Sequence, residues 1–332
     1  MTNAPSRRAW HSTNPGLDNL EMVEASQQEY SAHEALVRVD TAALNFSDLL
    51  MIDDRYQVRP PRPFIPGQEV SGTVVAAGPQ SGLSVGARVA SKVLWGGFSD
   101  YVAVRGDMAI RIPDDVSGAI ACALPVVYTT SMVALTESTT IKLGETVLVL
   151  AAAGGVGLAA VEIARHLGAR VIAAAGGEEK CALAREHGAH EAVDYRHEGW
   201  SEQVKALTGG HGANVIVDPV GGAAAKEALR VLAWEGRFLI VGFTSGEIPQ
   251  IPANRLLLKR AAAIGVYWNH DQDATMLGRV SNRLAGFLRE GAIRPHIGAN
   301  FAFEQLPAAL RALANRQTTG KVTISLTHEA KR

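Results

Sequence analysis

The chain has 332 residues, long for one domain and suited to two. With 47% hydrophobic and 20% charged residues and a formal net charge of −1, it reads as an ordinary globular protein and has no basic excess with which to hold nucleic acid. Only Cys122 and Cys181 occur, far apart and in no metal or redox spacing, which excludes a lobe built on four thiolates and suits a reducing cytoplasm.

The opening MTNAPSRRAWHS carries no apolar core of a signal peptide, so a cytoplasmic location is expected. Residues 1–125 show short alternating runs at 35–39, 72–76 and 101–104, cut by Pro and Gly clusters. The stretch RPPRPFIPG (59–67) cannot be helix, because proline removes donors and restricts its neighbours. A mostly antiparallel, loop-rich β-domain is predicted.

From about 126 to 267 strand and helix patterns alternate. Strands are predicted at 146–150, 170–175, 191–195, 214–218, 237–243 and 262–267, with helices at 158–167, 178–187, 201–207, 223–232 and 254–260. Glycines 168, 188 and 236 stop the chain where strands follow. The pattern predicts a doubly wound parallel sheet with its ligand at the carboxyl ends of the strands. The longest apolar run, 147–161, is broken by three glycines and reads as strand, turn and helix, not as a membrane span. After 268 come an amphipathic helix (274–289) and a strand (322–326), expected to return to the first domain and complete it as 268–332. The active site is expected in the cleft between domains.

The stretch TVLVLAAAGGVG (146–157) is the most informative in the chain. Ala152-x-Gly154-x-x-Gly157 fits the dinucleotide fingerprint G-x-G-x-x-G with Ala in first place. Small residues at Ala152 and Ala153 permit a sharp turn, and Gly154 and Gly155 let backbone approach a pyrophosphate. Gly157 lets helix pack on strand, and free N–H groups from Val156 onward face the phosphates. The second strand ends Ala-Ala-Ala-Gly176-Gly177 with no acid to bond a ribose 2′-hydroxyl. Lys180 and the Tyr195-Arg196 pair reach that corner and match a 2′-phosphate, so NADPH is expected over NADH. Glu178 and Glu179 read as first-turn carboxylates favoured by the helix dipole.

Seven motifs in order carry a family resemblance: ALNFSD (43–48), PFIPGQEVSG (63–72), LPVVYTTS (124–131), AAAGGVGLAAVEIA (151–164), DYR (194–196), VGFTSG (241–246) and TGKV (319–322). Over nearly its full length the chain resembles the zinc-independent quinone oxidoreductase (zeta-crystallin-like) branch of the medium-chain dehydrogenase/reductase superfamily. The resemblance implies an α/β protein with a GroES-like β-rich catalytic domain, a Rossmann domain, and a homodimer. Zinc-dependent members carry Cys where this chain has Asn45 and His where it has Gln68, so no metal is expected.

Without a Lewis acid the fitting chemistry is hydride transfer to an acceptor activated by conjugation, a quinone or an α,β-unsaturated carbonyl. The resemblance puts Asn45 and Thr130 beside the nicotinamide and the Val241-Gly242-Phe243 backbone at its carboxamide. Tyr56 and Tyr128 are candidate donors to the acceptor oxygen; each is equally readable as a core aromatic. Arg316 and Lys321 are candidates for holding cofactor phosphates or, alternatively, a solvated helix end and strand start. Two other readings stand beside the leading one: an enoyl-thioester reductase, and a redox-inactive NADPH-binding structural or RNA-binding protein. A small-molecule acceptor is the expected partner, with neither nucleic acid nor membrane.

Overall fold

The computed structural model describes residues 7–26 and 28–328. They form two compact units, one running up to Val126 and resumed from Ile297, the other Val127–His296.

The first unit opens with β1 (Arg7–Ser12) and β2 (Leu20–Ala25), an antiparallel pair. Then follow β3 (Glu34–Leu44), α1 (Phe46–Ile52), β4 (Glu69–Ala77), β5 (Arg88–Lys92), β6 (Tyr101–Arg105), β7 (Ile110–Arg111) and α2 (Gly118–Cys122). β3 is the longest strand and pairs with both β4 and β6. Its Ala35, Val37, Val39 and Ala42 are fully buried and anchor the core. Where β4 crosses it, a Cβ on Gly72 would lie 1.9 Å from the Arg38 carbonyl oxygen. Only glycine permits that approach, beside a register shift between Val39 and Thr41.

The second unit begins within an apolar helical run, Gly118–Glu137, that contains α3 (Thr129–Met132) between π-helical turns. By length and composition this run could cross a bilayer, but 72% of its apolar window is buried, as in a core helix. Next come β8 (Thr146–Leu150), α4 (Gly155–His166), β9 (Arg170–Ala175), α5 (Glu178–Glu186), β10 (Glu191–Asp194), α6 (Trp200–Leu207), β11 (Ala213–Asp218), α7 (Gly222–Ala228), β12 (Leu232–Ile240), α8 (Ala253–Lys259), β13 (Ala262–Gly265) and α9 (His270–Arg289). The six strands form one parallel sheet in the order β10-β9-β8-β11-β12-β13. Every residue of β8 is buried, as a strand covered on both faces requires. Chain order reverses between β8 and β11, the switch point at which such sheets bind ligands.

α9 belongs to this unit, so the return to the first unit falls at Ile297 and not at 268. The reason is packing. Leu277, Val280 and Leu284 of α9 are buried, the Phe287 ring lies tilted with its centre 4.1 Å from that of His166 of α4, and Arg294 N–H binds Glu162 at 3.0 Å. The chain then completes the first unit with β14 (Ile297–Ala302), α10 (Leu306–Ala314) and β15 (Lys321–Ser325). β15 runs antiparallel to β3, placing Val322 opposite Leu44. That pairing brings the starts of β15 and β4 and the end of β3 together.

Candidate active site

In the second unit the turn after β8 is tighter than its sequence suggests. Ala151 has φ +47°, a left-handed conformation, and its carbonyl accepts the Gly154 N–H at 2.9 Å. The strained first position of the fingerprint is therefore Ala151, one residue before the Ala152 that spacing selected. A Cβ on Gly157 would lie 2.2 Å from the Ala151 oxygen and 2.6 Å from Ala152 Cα, so Gly157 serves helix–strand contact. Gly154 differs: it is extended (φ −85°, ψ 174°), and its Cβ would meet only the Ala151 oxygen, at 3.3 Å. Its backbone is open to a ligand. α4 starts at Gly155, so the N–H groups of Gly155, Val156 and Gly157 belong to the first turn, whose donors lack intrahelical partners. Ala153 is buried beneath this turn.

Gly176 follows β9, and a Cβ built there would touch Tyr195 and Arg196 at ordinary contact distance, 3.7 Å each. Gly177 (φ +104°) has the Arg196 guanidinium against it. Asp194 grips Arg196 through Oδ1 (3.0 Å) and Oδ2 (2.6 Å), and the pair holds the carboxyl well below the usual carboxylate range. Arg196 is thus fixed at the rim of the turn, a more definite placement than sequence provided. Lys180 is half-buried in the first turn of α5. Glu178, in the first turn of α5, is bound to Arg185 at 2.7 Å.

Past β12, the N–H groups of Val241 (2.9 Å) and Gly242 (3.3 Å) bind the Asp218 carbonyl, and Phe243 is half-buried beside them. Asp218 was not singled out from sequence. Its Oδ1 accepts from Val220 and Gly221 N–H at 2.8 and 2.9 Å, burial raises its pKa, and its buried Oδ2 has no hydrogen-bond partner among the described residues. Thr130 accepts from Trp268 Nε1 at 3.0 Å, and Ser131 Oγ donates to Val156 O at 3.0 Å, tying α3 to the start of α4. Ala153–Val156, Gly176, Lys180, Tyr195, Thr130 and Val241–Phe243 thus all lie in one unit, with the glycine-bearing turns at the carboxyl ends of its strands. Backbone that glycine leaves open and a cationic rim fit a dinucleotide phosphate.

The first unit holds a buried polar cluster. Asn45, N-cap of α1, accepts from Lys321 Nζ at 2.8 Å through Oδ1 and donates to Glu69 Oε2 at 3.0 Å. Glu69 is fully buried; Oε1 takes the Val126 N–H at 2.7 Å and Oε2 takes Lys321 Nζ at 2.7 Å. Asp48 accepts the Asn45 N–H at 2.8 Å, and burial pushes its pKa up to about 7. Gln68 accepts from the Ser47 hydroxyl. Among the described residues no group of three His, Cys, Asp or Glu side chains is placed to hold a metal. The donor set here, two amides, the Glu69 carboxylate already closed by an ammonium and the Asp48 carboxyl bound to the Asn45 N–H, has no Cys or His and does not fit zinc.

Two expected roles change. Tyr128 is 2% exposed and donates its hydroxyl to Glu162 at 2.7 Å; burial and that carboxylate push its pKa well up. It is a core tyrosine, and its proton is spent inside the second unit. Glu162 also binds His187 at 2.6 Å, and its signal in sequence was a lone carboxylate in the apolar run AAVEIA. Lys321 is likewise not a phosphate ligand: its three N–H donors go to Leu44 O (2.9 Å), Asn45 and Glu69. Tyr56 lies just past α1, half-buried in the first unit. Arg316 follows α10 with φ +57°.

The family description "Alcohol dehydrogenase GroES-like domain" matches residues 31–114, and "Zinc-binding dehydrogenase" matches 155–282. A GroES-like unit joined to a Rossmann unit with a glycine-lined turn defines an oxidoreductase of the medium-chain dehydrogenase/reductase superfamily. The chain is 40% identical over 311 residues to quinone oxidoreductase-like protein 2 of Bos taurus, covering 92% of this chain and 89% of that one. Among solved structures, mycobacterial Rv1454c complexed with NADPH superposes with TM-score 0.89 at 28% identity, covering 96% of this chain and all of that one. The Pseudomonas syringae quinone oxidoreductase superposes with TM-score 0.88 at 29% identity, covering 97% and 100%. The chain belongs to the quinone oxidoreductase branch of that superfamily, whose members are NAD(P)-dependent oxidoreductases.

Proposed function

We propose that the protein is an NADPH-dependent reductase that works without zinc and delivers hydride to a quinone or an α,β-unsaturated carbonyl. One observation carries the reading: where zinc-using relatives keep a Lewis acid, Glu69 is closed by Lys321, Asn45 and the Val126 N–H. An isolated ketone or alcohol needs that metal; a conjugated acceptor spreads the incoming charge itself. The relative complexed with NADPH supports the cofactor.

When bound, NADPH supplies the hydride, and the chain binds and orients. The open backbone at Gly154 and the first-turn N–H groups of α4 hold the pyrophosphate. Lys180, Tyr195 and Arg196 take the 2′-phosphate, while Thr130 and the Val241–Phe243 backbone fix the nicotinamide. Of the two tyrosines, Tyr56 alone keeps its candidacy as donor to the acceptor oxygen.

A second copy joins through the second unit. β13 is one of the two sheet edges, and beside it Leu257 (79% exposed), Leu258 (73%) and Tyr267 (75%) present apolar surface. A free parallel edge flanked by such surface suits pairing about a two-fold axis. Two buried, unpaired cysteines support the cytoplasmic reading.

NADPH oxidation is to be followed with a quinone, an enone, an enoyl thioester and a plain ketone, before and after prolonged chelation. Turnover of the first two, unchanged by chelator, is expected. Turnover only of the thioester favours an enoyl reductase; NADPH binding without any turnover favours a redox-inactive role. Lys180→Glu should erase the preference for NADPH over NADH, since a charged hydrogen bond is worth ~1.5–3 kcal/mol.

A further inference from the structure

Lys321 is the first residue of β15, and its side chain is 4% exposed. Its ammonium meets three acceptors from three other segments: the carbonyl of Leu44 at the end of β3, Asn45 Oδ1 at the N-cap of α1, and Glu69 Oε2 at the start of β4. An ammonium has three N–H donors and no acceptor, so this is full occupancy. The contacts at 2.7–2.9 Å resemble a coordination shell: one compact positive centre gathering oxygens from segments distant in sequence. A further cation, Lys92, faces Glu69 across the β4–β5 pairing.

The consequence falls on Asn45. Its Oδ1 points at the ammonium and its Nδ2 at the Glu69 carboxylate. Turning the amide over would set its NH₂ against an ammonium and its oxygen against a carboxylate, so the ion pair fixes the orientation. One N–H goes to Glu69 at 3.0 Å; the other has only a 3.4 Å contact to Ala43 O, at the long limit of a hydrogen bond. That weakly held N–H is the one the amide can give away.

We propose that Lys321 is a positioning residue that stands in for a metal ion: its ammonium binds Leu44, Asn45 and Glu69 together and thereby aims the Asn45 amide. The inference rests on the reading that Asn45 serves the nicotinamide site of a zinc-free reductase. It also explains how the cluster is neutralised without zinc, since a divalent ion brought to Glu69 would have to displace a cation already bound there.

Lys321→Ala is the direct perturbation, read through quinone turnover, NADPH affinity and added ethylammonium. Positioning predicts a kcat loss of roughly tenfold to a hundredfold. NADPH affinity should stay at the parent's value, and ethylammonium, which fits the vacated volume, should restore much of the rate and the melting temperature. A phosphate ligand behaves oppositely: NADPH affinity falls, kcat holds, and ethylammonium does nothing; that result overturns the proposal. Because Lys321→Ala leaves a buried carboxylate unpaired and can fail to fold, the parent protein labelled with ¹⁵N-lysine provides a second test. A buried, triply bonded Nζ gives a slowly exchanging NH₃⁺ resonance, assigned by its loss in Lys321→Arg. Absence of that resonance, or exchange as fast as that of a surface lysine, refutes the placement. If the parent reduces no acceptor, the oxidoreductase reading has failed, while the ¹⁵N measurement still decides the role of Lys321.

Discussion

Gly154 and Gly157 stand three residues apart in one turn, yet an added methyl group should act on them in different ways. At Gly157 the new Cβ would sit 2.2 Å from the Ala151 oxygen and 2.6 Å from Ala152 Cα, both backbone atoms that cannot rotate away. Relief to ordinary contact requires α4 to move off β8 by roughly 1 Å, and a gap of that size forfeits a quarter to a half of each contact's attraction. Gly157, Leu158, Ala159, Ala160, Val161, Ile163 and Ala164 are all buried on this helix, so the loss spreads along it. Gly157→Ala should therefore cost ~3 kcal/mol, the upper end for overpacking. For a unit the size of Val127–His296 that is a fall in melting temperature of roughly 6–12 °C. At Gly154 the same methyl meets one oxygen at 3.3 Å, in a backbone conformation any residue adopts. Gly154→Ala should cost under ~1 kcal/mol as an N-cap change, yet weaken NADPH binding, because the methyl projects where backbone must meet pyrophosphate. Thermal melts and NADPH titrations of both variants test this. The reasoning fails if Gly157→Ala melts with the parent, or if Gly154→Ala melts early and binds NADPH normally.

Tyr128→Phe removes a donor from the buried Glu162 carboxylate and should destabilise by ~1.5–3 kcal/mol, while quinone turnover falls by less than tenfold; urea unfolding beside steady-state kinetics checks both. Asp48, raised from 3.8 to about 7, binds its proton more tightly in the native state than in the unfolded chain. It therefore stabilises the protonated native form, and stability falls as pH rises from about 4 to about 7. Asp48→Asn should flatten that fall, seen as a stability difference from the parent that shifts in the variant's favour with rising pH; parallel pH profiles would refute the assignment. Ile264→Pro on the edge strand should give monomers or aggregates where the parent scatters light as a dimer, and a monomeric parent would count against the β13 interface.

The parallel sheet was legible because its strands are buried on both faces and separated by glycine-stopped helices. Thr146–Leu150 and Arg170–Ala175 fall where the pattern puts them. The phosphate turn was legible for the same local reason: a strand, small residues and a helix must follow one another within a dozen positions. Even there, spacing selected Ala152 where the left-handed residue is Ala151, because a dihedral angle is not written in residue type. The resemblance carried the family and the missing zinc ligands, since Asn45 and Gln68 are read directly at motif positions. What tertiary structure decided were the partners of polar side chains. Tyr128 found Glu162, 34 residues away, and Lys321 found Asn45 and Glu69, 276 and 252 residues away. A buried donor must take the acceptor the fold brings to it, and which acceptor that is depends on the register of β15 on β3 and of α4 on its sheet. The sequence by itself determined which residues could do chemistry; the fold decided which of them have a hydrogen left to give.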